Sequence, residues 1–270
     1  MMSAGKRKQW RQVLSLLDGL TESGGMVGVF TYNVALSGLS KSGRWREAEQ
    51  LLRKMYQAGT VPDLYSFNSV ITACGRAGQW KKALAILDEM GSEDSNLRPD
   101  LFSYNGAISA LAKDGRWKQA LSMIDALREA GLAPDVFTYT SAMSACDKAG
   151  QWKVALDVMD SMRDENIVPN IVSYGTAVSA CARTGHWEKA LSLLSEMLSK
   201  GVKPNAVVYG ATVRACVMGG KHILALDVLD DMLEQGVVPD VAAFTAGMGA
   251  AASTGGWAAV LGLLQTMKRE

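Results

Sequence analysis

The apolar positions of this chain return at helical spacing and then return again as whole blocks. A stretch beginning near residue 29 carries Tyr32 and Leu39 among further apolar residues spaced three and four apart. A turn signal follows, and a second stretch runs from Trp45 through Leu51-Leu52 to a methionine. Apolar residues spaced three and four apart predict helices with one buried face, so each block reads as helix, turn, helix. No uninterrupted apolar run approaches the roughly 18 residues that a membrane span requires.

The blocks form a period. Pro followed by Asp or Asn occurs at 62–63, 99–100, 134–135, 169–170, 204–205 and 239–240, 35 residues apart except for a second block two residues longer around Gly91–Asn96. Gly recurs at 43, 78, 115, 150, 185, 220 and 255, and Trp10, Trp45, Trp80, Trp117, Trp152, Trp187 and Trp257 hold one place in the period. In the sixth block that place is taken by His222. The units are 29–63, 64–100, 101–135, 136–170, 171–205, 206–240 and a shortened 241–270; residues 1–28 align with the second half of a unit, Trp10 matching Trp45 and Gly24 matching Gly59.

Local chemistry agrees with this division. Asp63, Asp100, Asp135, Asn170, Asn205 and Asp240 are helix N-cap residues whose side chains accept from unpartnered backbone N–H groups. The first helix of each unit carries an aromatic at its fourth position: Tyr32, Phe67, Tyr104, Tyr139, Tyr174, Tyr209 and Phe244. The central glycine belongs at its left-handed C-terminal residue. The second helix runs through Ala83-Leu84, Ala120-Leu121, Ala155-Leu156 or Ala190-Leu191 and ends at Gly59, Gly131, Gly201 or Gly236, or at Asn96 and Asn166 where the glycine is missing. Such hairpins are too short to bury their own apolar faces and must stack on neighbours, which makes the fold class an all-α, right-handed α-α superhelical solenoid of about seven hairpins.

Composition and charge narrow the function. The chain has 28 Lys and Arg against 27 Asp and Glu, a net charge of +1, so any positive field must come from segregation of charge and not from excess. Cys74, Cys146, Cys181 and Cys216 hold the same repeat position, with no CxxC pair, and read as small core residues, not as a metal or disulfide set. Only two histidines, His186 and His222, are present; both read as surface residues. No acid–base or metal constellation emerges, so catalysis and cofactors are not expected. The N-terminus, MMSAGKRKQW, shows neither an apolar signal core nor an Arg/Ser-rich transit segment.

These columns closely resemble the pentatricopeptide repeat family, in P-type arrangement. Its pattern of Tyr-Asn near the start, a central Gly, an Ala-Leu helix, a Met and a closing Gly-x-x-Pro-Asp is met in nearly every unit, TYNVALSGLSKSGRWREAEQLLRKMYQAGTVPD at 31–63 being a close match. The resemblance implies single-stranded RNA binding, one base per repeat. It implies that the fifth and last residues of a unit meet one base edge: Asn33 with Asp63, Asn68 with Asp100, Asn105 with Asp135, and Thr140 with Asn170. By the family's pairing rules these suggest uracil three times and then adenine, a core of 5′-UUUA-3′. The second residue, Phe30, Tyr65, Phe102 or Phe137, would stack on bases, and the thirteenth, Lys41, Arg76, Lys113, Lys148 or Arg183, would approach phosphate.

All three columns fade together. The second residue becomes Val172, Val207 and Ala242, the fifth becomes Gly175 and Gly210, and the thirteenth becomes Met218 and Ser253. Units one to four, extending to five, are therefore the expected reader. The tryptophans read as packing between helices, and the methionine column as core. A protein scaffold that binds a peptide in its concave groove is the alternative function, and the near-neutral charge keeps it open. A small-molecule substrate and a membrane partner are not expected. By resemblance the setting is a plastid or mitochondrion, in RNA processing, stabilisation or translation. The array opens in mid-repeat and stops before a closing loop, so the reading expects a piece of a longer array.

Overall fold

The structure, a computed structural model, describes residues 27–92 and 97–254, together with Ser15 and Gly19. The described residues form thirteen α-helices and no strand. The expected half-unit over residues 1–28, the place of Asn96, and the last unit beyond Thr254 with Gly255 and Trp257 lie outside them. The chain divides into two compact units, 1–134 and 135–270.

In the first unit, α1 (Val29–Lys41) pairs with α2 (Trp45–Gln57), α3 (Leu64–Ala77) with α4 (Trp80–Met90), and α5 (Leu101–Lys113) with α6 (Trp117–Glu129). In the second, α7 (Val136–Lys148) pairs with α8 (Trp152–Asp164), α9 (Ile171–Arg183) with α10 (Trp187–Ser199), and α11 (Ala206–Met218) with α12 (His222–Glu234), followed by α13 (Val241–Ser253). Within each unit the odd-numbered helices pack on one another in series, and each even-numbered helix packs on the odd-numbered helices beside it.

The ends of the helices follow from their sequences. Asp63, Asp100, Asp135, Asn170, Asn205 and Asp240 each accept a backbone N–H of the first turn, which satisfies a donor the helix cannot. Ser66, Ser103, Thr138 and Ser173 complete capping boxes by accepting the N-cap backbone N–H in return. Helix α1 starts at Gly28 without a side-chain cap. Between hairpins, Gly59, Gly131, Gly201 and Gly236 hold φ of 70–76° and Asn166 holds 59°, the left-handed region that asparagine tolerates better than most larger residues.

The core sits between the paired helices. Tyr32, Phe67, Leu36, Ile71, Met55 and Met90 are fully or almost fully buried in the first unit; Tyr139, Tyr174, Tyr209, Met162, Met197 and Met232 match them in the second. Tyr104 departs from its column and stays half-buried. Two buried phenols donate across their own hairpins, Tyr174 to Glu196 and Tyr209 to Asp231, both at 3.0 Å, as a buried hydroxyl requires. Burial, with the Asp231 carboxylate, pushes Tyr209 up to about 12. The four cysteines are free and buried, and burial pushes each thiol up to about 11.

Glycines stand where α3 and α5 meet. A Cβ on Gly106 of α5 would fall 2.7 Å from Ile71 Cγ2 of α3, and one on Gly75 would fall 3.1 Å from the Gly106 carbonyl. Any larger residue at Gly106 would force α3 and α5 apart.

Candidate nucleic-acid interface

Helical geometry separates the columns into two faces. Residues two apart lie about 200° around a helix, so the second and fourth residues of an odd-numbered helix point in nearly opposite directions. The fourth is core; the second is open. Phe30 is 80% exposed, Tyr65 53%, Phe102 60% and Phe137 54%, so these rings do not pack into neighbouring helices. Steps of three and four residues from the second position reach the fifth, ninth and thirteenth, which share its stripe. Aromatic, amide and cation therefore stand along one side of the same helix.

The fifth residue does not stand free. Asn33 Nδ2 donates to both carboxylate oxygens of Asp63, at 3.1 and 3.0 Å, and Ser66 Oγ lies 2.7 Å from Asn33 Oδ1. The arrangement repeats one unit on: Asn68 Nδ2 donates to Asp100 Oδ1 at 3.2 Å, and Ser103 Oγ lies 2.6 Å from Asn68 Oδ1. Asn68 and Asn105 are only 7% exposed, so what they can offer a ligand is one edge of the amide. In the second unit the paired residues Thr140 and Asn170 are bridged: Thr140 Oγ1 meets Ser173 Oγ at 2.9 Å, while Asn170 Oδ1 accepts from the backbone of Val172 and Ser173.

Burial alone would raise the carboxyls of Asp63 and Asp100. The N–H and hydroxyl of the serine three residues on, with the asparagine amide, outweigh it and hold both below their ordinary value. Both are therefore carboxylates at neutral pH, able to accept and not to donate.

In the first unit the columns converge on one groove of about 710 Å³. Tyr65 and Phe102, Asn68, Asp63 and Asp100, and Lys41 and Arg76 all line it, with Ser37, Ser40, Ser69 and Thr72 as additional polar lining. Nothing in the sequence marks those hydroxyls, because Ser and Thr on a helix carry no signal that separates a lining residue from an ordinary exposed one.

The basic column is exposed but anchored. Arg76 Nη1 donates to the Lys41 carbonyl at 3.1 Å, and Lys113 Nζ to the Arg76 carbonyl at 2.5 Å. Each cation thus sits at the C-terminal end of the preceding odd-numbered helix, where the helix dipole favours positive charge. Lys148 is exposed at the end of α7. Arg183 is ion-paired with Asp147 at 3.0 Å. Within the second unit the equivalent places turn apolar: Val172, Val207 and Met218 are 58%, 61% and 63% exposed.

The described tryptophans, Trp45, Trp80, Trp117, Trp152 and Trp187, lie elsewhere, each opening an even-numbered helix and half-buried. A residue from the next hairpin covers several of them: Arg116 lies 4.8 Å from the Trp80 ring, Lys221 5.2 Å from Trp187, and the His186 ring 3.9 Å from Trp152. His186 is accordingly half-buried and stacked, not a free surface residue. His222 also departs from the surface reading: it fills the tryptophan place, and its Nδ1 is buried without a hydrogen-bond partner. Among the described residues no group of three His, Cys, Asp or Glu side chains is placed to hold a metal ion, and no helix is long and apolar enough to cross a membrane.

Comparison with known proteins agrees with this architecture. No curated protein sequence matches the chain. Among solved structures, the maize pentatricopeptide repeat protein PPR10 superposes with a TM-score of 0.61 at 23% identity, over 97% of this chain and 42% of that one. PPR10 in complex with an 18-nt psaJ RNA element gives 0.67 at 23% identity, over 98% and 40%. The PPR domain of Arabidopsis thaliana protein-only RNase P 1, in complex with tRNA, gives 0.54 at 16% identity, over 64% and 90%. The chain thus spans about two-fifths of the maize protein's length, and these likenesses show a shared α-helical repeat fold. The sequence pattern described as the PPR repeat family matches residues 27–76, 62–112, 99–148 and 169–218, and that of the PPR repeat matches 137–167 and 207–237. With most of its length so matched, this chain belongs to the pentatricopeptide repeat family.

Proposed function

We propose that the chain binds single-stranded RNA along the open face of its odd-numbered helices, one base per repeat. The observation that carries this reading is the groove of the first unit. There a stacking ring, an amide hydrogen-bonded to a carboxylate, and a cation stand on one helix stripe and recur at the period of the sequence. Exposed rings suit unstacked bases, fixed donors and acceptors suit base edges, and aligned cations suit a phosphate backbone. The RNA complexes of PPR10 and of the RNase P 1 domain, proteins of like fold, support the same reading.

On this register Phe30, Tyr65, Phe102 and Phe137 stack on bases. The pairs Asn33–Asp63, Asn68–Asp100 and Asn105–Asp135 select uracil, Thr140–Asn170 selects adenine, and Lys41, Arg76, Lys113, Lys148 and Arg183 meet phosphates. The core is 5′-UUUA-3′. Arg183 contributes after releasing Asp147, whose carboxylate keeps Ser179 as a partner. Family resemblance alone supports an organellar transcript as target.

The test is a selection from a randomised single-stranded RNA pool at near-physiological salt. Enrichment of a UUUA core is expected. Tight but unselective binding would remove the base assignments and leave RNA binding standing; no binding would bring forward a peptide in the groove.

A further inference from the structure

Asn33, Asn68 and Thr140 each meet a hydroxyl from the repeat that follows. We propose that the hydroxyl at the third place of the following odd-numbered helix, at Ser66, Ser103 and Ser173, orients the fifth residue of the preceding repeat and thereby sets its base selectivity. This rests on the base-reading role proposed above and adds a third member to each reading pair.

The argument starts from proton count. Ser66 Oγ carries one proton and lies 2.7 Å from Asn33 Oδ1 and 2.8 Å from Asp63 Oδ1, both acceptors, while it accepts Asp63 N at 3.2 Å. Turning the Asn33 amide over would set its oxygen against the Asp63 carboxylate, so Nδ2 faces Asp63 and Oδ1 faces Ser66. In that orientation the serine proton satisfies Oδ1, since Asp63 already receives the Ser66 N–H at 2.8 Å and the Asn33 amide. Ser103 repeats each contact with Asn68 and Asp100. What faces the groove is then one amide N–H beside a carboxylate oxygen, a donor next to an acceptor. Uracil offers the complement, a carbonyl next to the N3–H.

A second observation is independent of these distances. The third residue is Ser66, Ser103, Thr138 and Ser173 where the preceding fifth residue is Asn33, Asn68, Asn105 and Thr140. Where the fifth residue is Gly175 or Gly210, the third residue is Val208 or Ala243. Those apolar side chains close on the glycines: a Cβ on Gly175 would meet Val208 Cγ2 at 3.6 Å, and one on Gly210 would meet Ala243 Cβ at 3.4 Å. Capping does not explain the difference. Asn205 and Asp240 still cap α11 and α13 by accepting Val208 N at 3.1 Å and Ala243 N at 2.8 Å, with no hydroxyl present. The hydroxyl follows the side chain it touches, not the cap.

Ser66→Val and Ser103→Val test this in the whole chain, with Ser66→Thr and Ser103→Thr retaining the hydroxyl. The helix tolerates valine here, as Val208 shows. Binding of a UUUA oligonucleotide is compared with single changes at its first and second bases. The valine variants should lose about five-fold in selectivity at the matching base, the worth of one hydrogen bond, and keep it at the other bases; the threonine variants should keep it throughout. The RNA-free protein supplies a second readout. The side-chain NH2 resonances of Asn33 and Asn68 should move on substitution by valine and stay in place with threonine. Unmoved resonances, or per-base selectivity unchanged in the valine variants, would overturn the proposal. A wild-type chain that binds RNA without base preference would overturn both it and the base-reading function, whereas selective binding with a silent serine would overturn this proposal alone.

Discussion

Asp63 and Asp100 each serve two neighbours, the helix they cap in the next repeat and the asparagine of their own. Their folded-state pKa lies below the unfolded value, so the stability they supply is present above the unfolded pKa of about 4 and disappears as pH falls through the folded value. Replacing both by Asn keeps a capping oxygen and removes the titration. Urea titrations of this variant between pH 6 and pH 2 should show a shallower acid loss than the wild type, and an equal loss would assign the acid sensitivity to other carboxyls. At the reading position, Asn105→Thr should weaken the preference for uracil at the third base while leaving affinity for a matched oligonucleotide similar. An unchanged base profile would take Asn105 out of the reader.

At the scale of elements, the first unit is set by how closely α3 and α5 approach. Gly106→Ala places a methyl 2.7 Å from Ile71 Cγ2, and overpacking of this kind costs about 1–3 kcal/mol. Chemical denaturation should report that loss; a change below a few tenths would mean that the two helices slide apart freely. The even-numbered helices are built differently. None of the described ones has a side-chain N-cap. Each begins instead after the central glycine, with a half-buried tryptophan or His222 at its first residue. At Trp80 and Trp187 a cation from the next hairpin lies over that ring, worth about 0.5–1 kcal/mol at an exposed site.

Across the whole chain, polarity is graded from repeat to repeat at equal places of the period while net charge stays near zero. Phe30, Tyr65, Phe102 and Phe137 give way to Val172, Val207 and Ala242, and the cations to Met218 and Ser253. Binding should therefore depend on the repeats before residue 170. Replacing Lys41, Arg76, Lys113 and Lys148 together by Ala should weaken all RNA sequences alike. It should also reduce the slope of log affinity against log salt by about 0.7 for each lost contact. A slope equal to that of the wild type would mean that this column faces away from the phosphates.

The sequence by itself determined the period and the helix pairs, because the same places recur about every 35 residues, and the caps and glycine ends, because each depends on residues within one turn of one another. A carboxylate three residues before an N–H, or a glycine where φ must be positive, needs no knowledge of the rest of the chain. The candidate columns were visible for the same reason, as equal places in a repeat. Which side chains from different repeats touch was not visible. A period shows that Asn33 and Asn68 are equivalent, but not that Asn33 lies between Asp63 and Ser66, thirty and thirty-three residues on. Stacking of hairpins decided that, as it decided that the Phe30 column is open, that Asn68 shows only an edge, and that His222 is partly enclosed. Those facts depend on the distance between helices, which small residues such as Gly75 and Gly106 set by letting backbones approach.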